Sequence, residues 1–339
     1  MSGTRTAPIR AVRSSRRPTS GGALLAVLWL SAALSAIAFS LATTVRGEAE
    51  RTTAALNAVR GHYLATGAIQ RALLYMEWGR FYVQPDGHSP YYTWGDPRLS
   101  FDFPTGHAEV RITPESARMN VNAAPPEELY RLLVLLGAEP ERAREITLAI
   151  LDWRTPAPGG VPTPLDQHYL SLTPSFPSHH ASLEEIEELL LVQGMTPELF
   201  YGSYGRDEEG RLAPRAGLRD CLTVYGAGSA YDVNTVEPAV LGAIGLSPEA
   251  IALILEQRNR MPFRNREQLA GLLQGTPAFN RLRVGGNAIY TLCATARLRL
   301  PNGALSDDLR SVSAMVKLMG KGFDEPFHVL RWYDNVWVQ

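Results

Sequence analysis

The side chains in this sequence that could do chemistry do not assemble into a known catalytic motif. There is no Gly-x-Ser-x-Gly, no Walker A motif and no His-Glu-x-x-His, the signatures of common hydrolases, nucleotide-binding enzymes and zinc proteases. Gly226-Ala227-Gly228 lacks the third glycine and the following helix of a dinucleotide site. His179 and His180 lie in a predicted loop and would need distant partners to hold a metal ion. We therefore expect no enzymatic activity.

Two cysteines, Cys221 and Cys293, are the only ones in the chain. An oxidising compartment would permit them to form a disulfide, and two separate buried thiols fit the sequence equally well. They do not resemble a metal knuckle. Both alternatives stay open at this stage.

The composition is that of an ordinary globular protein, with 339 residues, 45% hydrophobic, 20% charged and a formal net charge of −1. This length allows two domains. Because a nucleic-acid-binding surface is usually strongly basic, the charge argues against broad binding of DNA or RNA.

A short motif, Gly-x-x-Pro-Glu, follows an apolar helical run at three places: 137–141, 194–198 and 245–249. Glycine supplies the left-handed residue that ends one helix, proline fits the first position of the next, and glutamate is favoured at its N-terminal end. Thr196 and Ser247 are predicted to cap the helices that follow them. The motif predicts pairs of helices joined by hairpins.

Further capping residues are predicted beside these hairpins. Asn122 and Asn234 each precede a helix in two similar entry segments, 119–127 and 231–238, and are predicted to help cap its start. Ser182 and Glu185 form the capping box of a helix that ends near Leu191.

Helix pairs of this kind resemble helix-hairpin-helix modules, which in DNA-binding proteins grip a phosphate with a Gly-hydrophobic-Gly hairpin. A membrane-anchored DNA-binding protein is therefore the alternative function. The second glycine is replaced here by Glu139, Thr196 or Ser247, and acidic side chains offset the nearby arginines. Those arginines are Arg142, Arg144, Arg258 and Arg260. We expect no nucleic-acid partner.

The longest apolar stretch runs from Ala23 to Ala42, about twenty residues without a charge, which suffices for a helix across a bilayer. Ahead of it lie Arg5, Arg10, Arg13, Arg16 and Arg17 without an acidic residue, which predicts a cytoplasmic N-terminus and an exported C-terminal bulk. Helical spacing continues beyond the stretch without a proline as far as Gln84. One helix is thus predicted to run from the membrane into the exported domain.

This N-terminus resembles that of type IV pilin-like proteins, which a prepilin peptidase cuts after a glycine and then methylates. The resemblance implies processing at Gly21 or Gly22, so that the mature chain begins at Gly22 or Ala23. The glutamate usual at the fifth mature position falls here at Ala26 or Val27. Its absence is typical of one pilin-like subfamily and implies a special position in the assembly.

The C-terminal part alternates between apolar and polar residues in three successive runs, 288–300, 310–318 and 327–333, and an earlier run covers 107–113. The aromatic and proline-rich segment 81–106 is predicted to be loops whose rings pack on the long helix. The runs predict an antiparallel sheet that covers the apolar stripe of the helix.

Linked motifs along almost the whole chain resemble the general secretion pathway protein K family, the large minor pseudopilins of type II secretion. They are Asn-Val-Asn-Ala-Ala-Pro-Pro-Glu-Glu-Leu at 120–129, Ile-Leu-Asp-Trp-Arg at 150–154, Leu-Asp-Gln-His-Tyr-Leu-Ser-Leu at 165–172 and Leu-Thr-Val-Tyr-Gly at 222–226. The resemblance implies an α+β pseudopilin fold, in which a long N-terminal transmembrane helix packs on an antiparallel sheet and a large α-helical domain is inserted. The expected boundaries are a leader at 1–21, the helix at 22–80, sheet segments at 81–122 and 286–339, and the insertion at 123–285.

The same resemblance implies a role without catalysis at the tip of the pseudopilus, where the protein would nucleate assembly and assist export across the outer membrane. Implied partners are minor pseudopilins of types I and J, other secretion components, the prepilin peptidase and membrane lipid. The expected location is the inner membrane, with one span and a periplasmic C-terminal bulk. The resemblance points to no cofactor other than calcium, which is possible. Calcium is a candidate ligand, because members of this family can bind it through acidic residues that follow the Asp-Trp motif. In this chain only Asp152 and Asp166 are available there, so the candidate is weak.

Overall fold

The computed structural model describes residues 20–85, 89–206, 210–226, 228–273, 277–320 and 322–336. The chain divides into two compact units, 1–58 and 59–339. The predicted leader lies outside the described residues, apart from Ser20 and Gly21 at the start of the first helix.

Helix α1 extends without a break from Ser20 to Gly79. Its residues up to Ala58 make up the described part of the first unit, and the apolar side chains between Leu24 and Leu41 are exposed. Alanine and leucine favour the helix, and no proline interrupts it. Among the described residues, α1 is the helix that is long and apolar enough to cross a membrane.

The second unit contains a five-stranded antiparallel sheet in the order β1-β2-β9-β10-β11. Its strands are β1 (Arg98–Phe103), β2 (Gly106–Pro114), β9 (Ile289–Arg299), β10 (Leu305–Leu318) and β11 (Phe327–Tyr333). The predicted runs therefore form strands. Strand β1 was not predicted, because its segment looked like an aromatic loop, although Tyr92 and Phe101 do pack in the core with α1.

The near face of this sheet packs against α1. Ala65, Ala68 and Ala72 of the helix are fully buried, and Ala294 and Ala314 are fully buried on the sheet. Small side chains on both surfaces allow a close approach, while larger residues from both elements fill the remaining core. These larger residues are Leu64, Ile69, Leu73, Met76, Val110, Ile112, Tyr290, Leu292, Val312 and Val316.

A bulge in β11 changes which residues face α1. Met315 of β10 pairs with Arg331, whereas the next residue, Val316, pairs with Val329, so Leu330 is the extra residue. Because of the extra residue, the alternation of β11 side chains between the two faces of the sheet shifts by one position at Leu330. As a result Phe327 and Trp332 both pack against the core next to α1.

The helical domain is inserted between β2 and β9, which are neighbours in the sheet. Its α-helices are α2 (Pro126–Leu135), α3 (Pro140–Arg154), α4 (Pro164–Ser171), α5 (Pro197–Tyr201), α6 (Leu218–Cys221), α7 (Pro238–Ala243), α8 (Pro248–Arg260) and α9 (Arg266–Leu273). Its short strands are β3 (Met119–Asn120), β4 (Ser203–Arg206), β5 (Leu212–Arg215), β6 (Leu222–Thr223), β7 (Tyr231–Asp232) and β8 (Leu282–Arg283). It has its own hydrophobic core, separate from the one under α1.

The three predicted hairpins are confirmed. Gly137, Gly194 and Gly245 all have a positive φ, of 94°, 83° and 98°, and a proline begins the helix after each of them. Thr196 accepts a hydrogen bond from the Leu199 N–H, and Ser247 accepts one from the Ala250 N–H. The glycine conformation and the side-chain caps thus end one helix and begin the next.

Three predicted capping roles are wrong, those of Asn122, of Asn234 and of the Ser182–Glu185 capping box. The residues at the N-cap positions of α2 and α7 are Pro125 and Glu237, and neither makes a side-chain capping bond. Asn122 and Asn234 do not cap these helices, because their side chains bond to other segments. The segment after Ser182 forms a 3-10 helix, Ile186–Leu191, rather than an α-helix. Its start is held by Glu188, which accepts hydrogen bonds from the N–H groups of Glu184 and Glu185.

We predict that Gly245→Ala destabilises the protein by about 1–2 kcal/mol, because a Cβ is disfavoured in the left-handed conformation. The space around Gly245 is open, so the effect reports backbone conformation alone. Gly271→Ala is the matched control, since Gly271 lies within α9 and its surroundings are equally open. Thermal unfolding of the detergent-solubilised chain should show a lower melting temperature for Gly245→Ala and no decrease for Gly271→Ala. Equal behaviour of the two variants would contradict this account.

Candidate functional site

The inserted domain is built from two copies of one structural repeat, 119–226 and 231–286. In the first, β3 pairs in parallel with β6, and in the second, β7 pairs in parallel with β8. The Val121 N–H donates to the Thr223 carbonyl at 2.9 Å, and the equivalent Val233 N–H donates to the Arg283 carbonyl at 3.0 Å. Each repeat therefore closes on itself, with its first and last strands side by side.

An asparagine holds the middle of each repeat to its start. The Asn122 side chain donates to the Leu183 carbonyl and accepts from the Leu183 N–H, at 2.9 and 2.8 Å. Asn234 makes the same pair of bonds with Phe263, at 2.9 and 2.8 Å. An amide side chain can bond to both the N–H and the carbonyl of one residue. These asparagines therefore make the two hydrogen bonds that a neighbouring strand would otherwise make.

An arginine at the end of each long helix completes the arrangement. Arg154 of α3 donates to the carbonyls of Val121 and Ala124. Arg258 of α8 donates to the carbonyls of Val233 and Val236, at 3.2 and 2.7 Å. These carbonyls occupy equivalent places in the two entry segments. They lie outside regular helices and strands, so the arginines supply the hydrogen-bond donors that the backbone does not.

These contacts leave little of the surface that DNA binding would require. Arg258 is used internally, Arg142 donates to the Gly194 carbonyl at 2.8 and 3.0 Å, and Arg260 pairs with Glu256. Of the four arginines of the alternative function, Arg144 alone has no such contact among the described residues. The hairpins therefore serve helix packing.

Glu115 joins the inserted domain to the sheet. Its carboxylate is 3% exposed and accepts hydrogen bonds from Thr223 of β6 at 2.6 Å and Thr291 of β9 at 2.7 Å. Arg118 forms an ion pair with it at 2.8 Å. A buried carboxylate is costly unless it is paired and hydrogen-bonded, and here both conditions are met.

The second repeat is attached to the sheet domain through another polar contact. Besides Phe263, the Asn234 amide donates to the carbonyl of Gly95, in the segment before β1, at 2.9 Å. Next to it, the buried carboxylate of Asp232 accepts from the Gly285 N–H at 2.7 Å and from Thr235. Each repeat is thus fixed to the sheet domain by buried polar groups.

The two carboxylates proposed for calcium are brought together around Thr163. The Thr163 hydroxyl donates to Asp152 at 3.2 Å, and its N–H donates to Asp166 at 2.7 Å. His180 lies against Asp166, with Nε2 at 2.9 and 3.1 Å from the two carboxylate oxygens. Its Nδ1 is 3.1 Å from the Asp152 carbonyl. The His180 ring thus occupies the position next to Asp166 that a metal ion would need.

The electrostatics of this pair favour its charged form. The hydrogen bond to Asp166 raises the pKa of His180 above its usual value, although burial opposes the shift. Burial by itself would raise the pKa of Asp166, but the bonds from His180 and Thr163 hold it below its usual value. Within the part of the chain that the structure describes, no three His, Cys, Asp or Glu side chains come together as metal ligands. Hard cations prefer six or more oxygen ligands, and this donor set does not fit calcium.

The predicted processing residues lie at the beginning of α1. Gly21, Gly22 and Ala23 belong to the first turns of the helix, and Ala26 and Val27 are exposed one turn later. No carboxylate is present at either of the last two positions. Cleavage and methylation therefore stay predictions.

Both cysteines are free thiols in the structure. Cys221 is fully buried in the core of the inserted domain, and Cys293 lies half-buried on β9. Burial raises the pKa of both thiols. The alternative of two separate thiols is the one that the structure contains.

The geometry can be compared with that of known proteins. Residues 111–201, which include the end of β2 and most of the first repeat, match the family model described as type II secretion system protein K. This part of the chain is similar to the protein K family. The type II secretion system protein K of Klebsiella pneumoniae is 26% identical over 197 residues, which cover 53% of this chain. The alignment spans 59% of the length of that relative.

A solved structure supports the same fold over a larger part of the chain. It is the GspK-GspI-GspJ complex of the enterotoxigenic Escherichia coli type 2 secretion system. The similarity covers 84% of this chain and 98% of the matched chain, with a TM-score of 0.54 and 19% sequence identity. The α+β pseudopilin fold with an inserted helical domain is therefore confirmed. The protein K family is one of secretion pseudopilins and not a known class of enzyme.

Several residues that hold the inserted domain together were not predicted from the sequence. Glu115, Arg154 and His180 act through contacts between distant segments, and no local pattern indicates them. The repeat itself did leave a signal, because Leu-x-Val-x-Gly occurs at both 222–226 and 282–286. In both repeats this motif directly follows the last helical turn. Its recurrence could have revealed the duplication from the sequence.

We predict that His180→Gln lowers the melting temperature more at pH 6 than at pH 9. The pKa of His180 is raised on folding, so its contribution is fully present below the unfolded value of about 6.5 and is lost as pH rises through the folded value. The contribution of Asp166, whose pKa is lowered, is lost in the acid range instead. Thermal unfolding of the whole chain at the two pH values provides the measurement.

The control is His328→Gln, because His328 is exposed on β11. We expect the same small effect of this change at both pH values. A loss for His180→Gln that does not depend on pH would mean that the imidazole at this site is not charged.

Proposed function

We propose that this chain is a minor pseudopilin that caps the tip of the type II secretion pseudopilus and nucleates its assembly. The observation that carries the proposal is the combination, in one chain, of a membrane-length helix and the protein K domain. The related chain of known structure was solved in a complex with GspI and GspJ. We infer that I-type and J-type minor pseudopilins are the partners of this chain as well.

The architecture supports a position at the end of a filament. The inserted domain interrupts the sheet between β2 and β9 and adds a bulky body to the pseudopilin core. A further subunit stacked above it would have to displace this body. The positions of the usual glutamate hold Ala26 or Val27, so this subunit cannot offer a carboxylate to the amine of a subunit above it.

The proposed location is the inner membrane, crossed once by α1. The arginines ahead of the apolar stretch would keep the N-terminus in the cytoplasm, and the second unit would lie in the periplasm. Prepilin peptidase would cut after Gly21 or Gly22. The protein would act by binding and assembly, without catalysis. DNA binding is not favoured, because three of the four hairpin arginines bond to other groups of the chain.

Processing gives the first prediction. In membranes from cells that contain prepilin peptidase, the mature chain should begin with a methylated amine at Gly22 or Ala23, as determined by mass spectrometry. In cells without the peptidase the full leader should remain. A start near Thr43 would indicate a secretory signal cleaved after the small residues Ser40-Leu41-Ala42 and would contradict the pseudopilin proposal. An uncut leader in both strains would contradict it as well.

Partner binding gives the second prediction. The tagged chain should co-purify the I-type and J-type minor pseudopilins from detergent extracts, and cells without the chain should retain exported proteins in the periplasm. A truncated chain without 20–42 is the comparison, because it lacks the membrane span. Export that continues normally in cells without the chain would contradict the proposed role.

A further inference from the structure

A groove of about 660 Å³ lies between the inserted domain and the far face of the sheet, which is the face turned away from α1. Its floor crosses β2, β9, β10 and β11 through two rows of paired residues. One row is Arg111, Cys293, Ser313 and Tyr333. The other is Thr113, Thr291, Met315 and Arg331. The middle of the floor thus carries small hydroxyl and thiol side chains, and arginines stand on both sides.

The wall opposite the floor comes from the inserted domain. Tyr201, Arg219 and Tyr225 contribute to it, together with Glu185 and Glu187. Volumes of this size are typical of ligand-binding clefts. Neighbouring strands are about 4.8 Å apart, so the floor is about 14 Å wide across its four strands and matches about four residues of extended chain.

Two of the four carboxylates that line the groove, Glu115 and Glu185, are paired with arginines. Glu115 is bound by Arg118 and two threonines. Glu185 pairs with Arg331, which also donates to the Tyr225 hydroxyl. Asp220 accepts from the Gly217 N–H at 3.0 Å. Within the described residues, Glu187 at the exposed rim is the carboxylate of this groove without a hydrogen bond or ion pair.

Two of the arginines are not neutralised in this way. Arg111 has no ion pair among the described residues, and it stands directly across from Arg98 of β1, a pairing of like charges that is unfavourable in a sheet. Arg98 itself has Glu109 at 3.5 Å. On the opposite wall, Arg219 has no ion pair within the described part of the chain and lies over the Tyr201 ring, at 5.8 Å. Both side chains are exposed.

We propose that this groove binds an extended acidic segment of another polypeptide, with Arg111 and Arg219 binding its carboxylates. The Thr113 hydroxyl is placed to bond with its backbone, and the tyrosines of the wall cover its side chains. A small anion would use the arginines but leave the four-strand floor empty. The proposal concerns this groove alone and does not depend on the tip position or on the partners proposed above.

The test measures binding of a fluorescein-labelled hexaglutamate peptide to the detergent-solubilised full chain by fluorescence anisotropy, with hexaglutamine as the uncharged probe. We expect saturable binding of hexaglutamate that weakens with added salt. Arg111→Gln and Arg219→Gln should each weaken it about tenfold, the size expected for a lost charge-assisted hydrogen bond. Glu187→Gln should strengthen it, because this change removes a competing carboxylate.

Arg260→Gln is the matched control, since Arg260 is an exposed arginine on α8 that pairs with Glu256 and does not line the groove. It should leave binding unchanged. Thermal unfolding of each variant verifies that it is folded.

A second readout locates the peptide. Cys293 lies on the floor and Cys221 is buried elsewhere, so bound hexaglutamate should slow the alkylation of Cys293 by N-ethylmaleimide, as followed by mass spectrometry of its peptide. The proposal would be overturned by a lack of saturable hexaglutamate binding, or by binding to Arg111→Gln and Arg219→Gln as tight as to the unchanged chain. Unchanged alkylation of Cys293 in the presence of the peptide would also overturn it. None of these results would bear on the co-purification of minor pseudopilins.

Discussion

The buried carboxylate of Glu115 is the interaction on which the two-part architecture of the second unit depends. A domain inserted between two neighbouring strands must leave the sheet and return to it at almost the same place. Glu115 lies where the chain leaves β2, Thr291 lies where it returns in β9, and Thr223 closes the first repeat. One carboxylate bonds to both threonines. Because an unsatisfied buried charge is costly, the position of the inserted domain against the sheet is strongly specified.

Duplication explains how the rest of the inserted domain is built with few regular elements. Each repeat uses a pair of parallel strands, an asparagine and an arginine to connect short helices that have limited stability alone. The polar groups satisfy the backbone of the connecting segments, and the apolar faces of both repeats share one core. The helices can therefore be short, since their stability comes from tertiary packing.

Local chemistry was sufficient to predict the hairpins, the long helix and most of the sheet. Gly245, Ser247 and Pro248 act on their immediate neighbours, so their pattern can be read directly from the sequence. Residues that connect distant segments could not be found in this way. Asn122 precedes a helix and looks like a cap, but its partner is Leu183, and only the fold brings the two together. The calcium candidates illustrate the same limit, because Asp166 was visible in the sequence whereas its pairing with His180 was not.

The strand pairing within the two repeats also has a consequence for the order of folding. Met119 pairs with Leu222, whereas Tyr231 pairs with Leu282, so the second repeat closes a loop of about half the length. The shorter loop loses less chain entropy when it closes, and contacts between nearer residues form faster. The second repeat is therefore expected to fold before the first. Once it has folded, its helix α7 provides a surface against which α2 of the first repeat can pack.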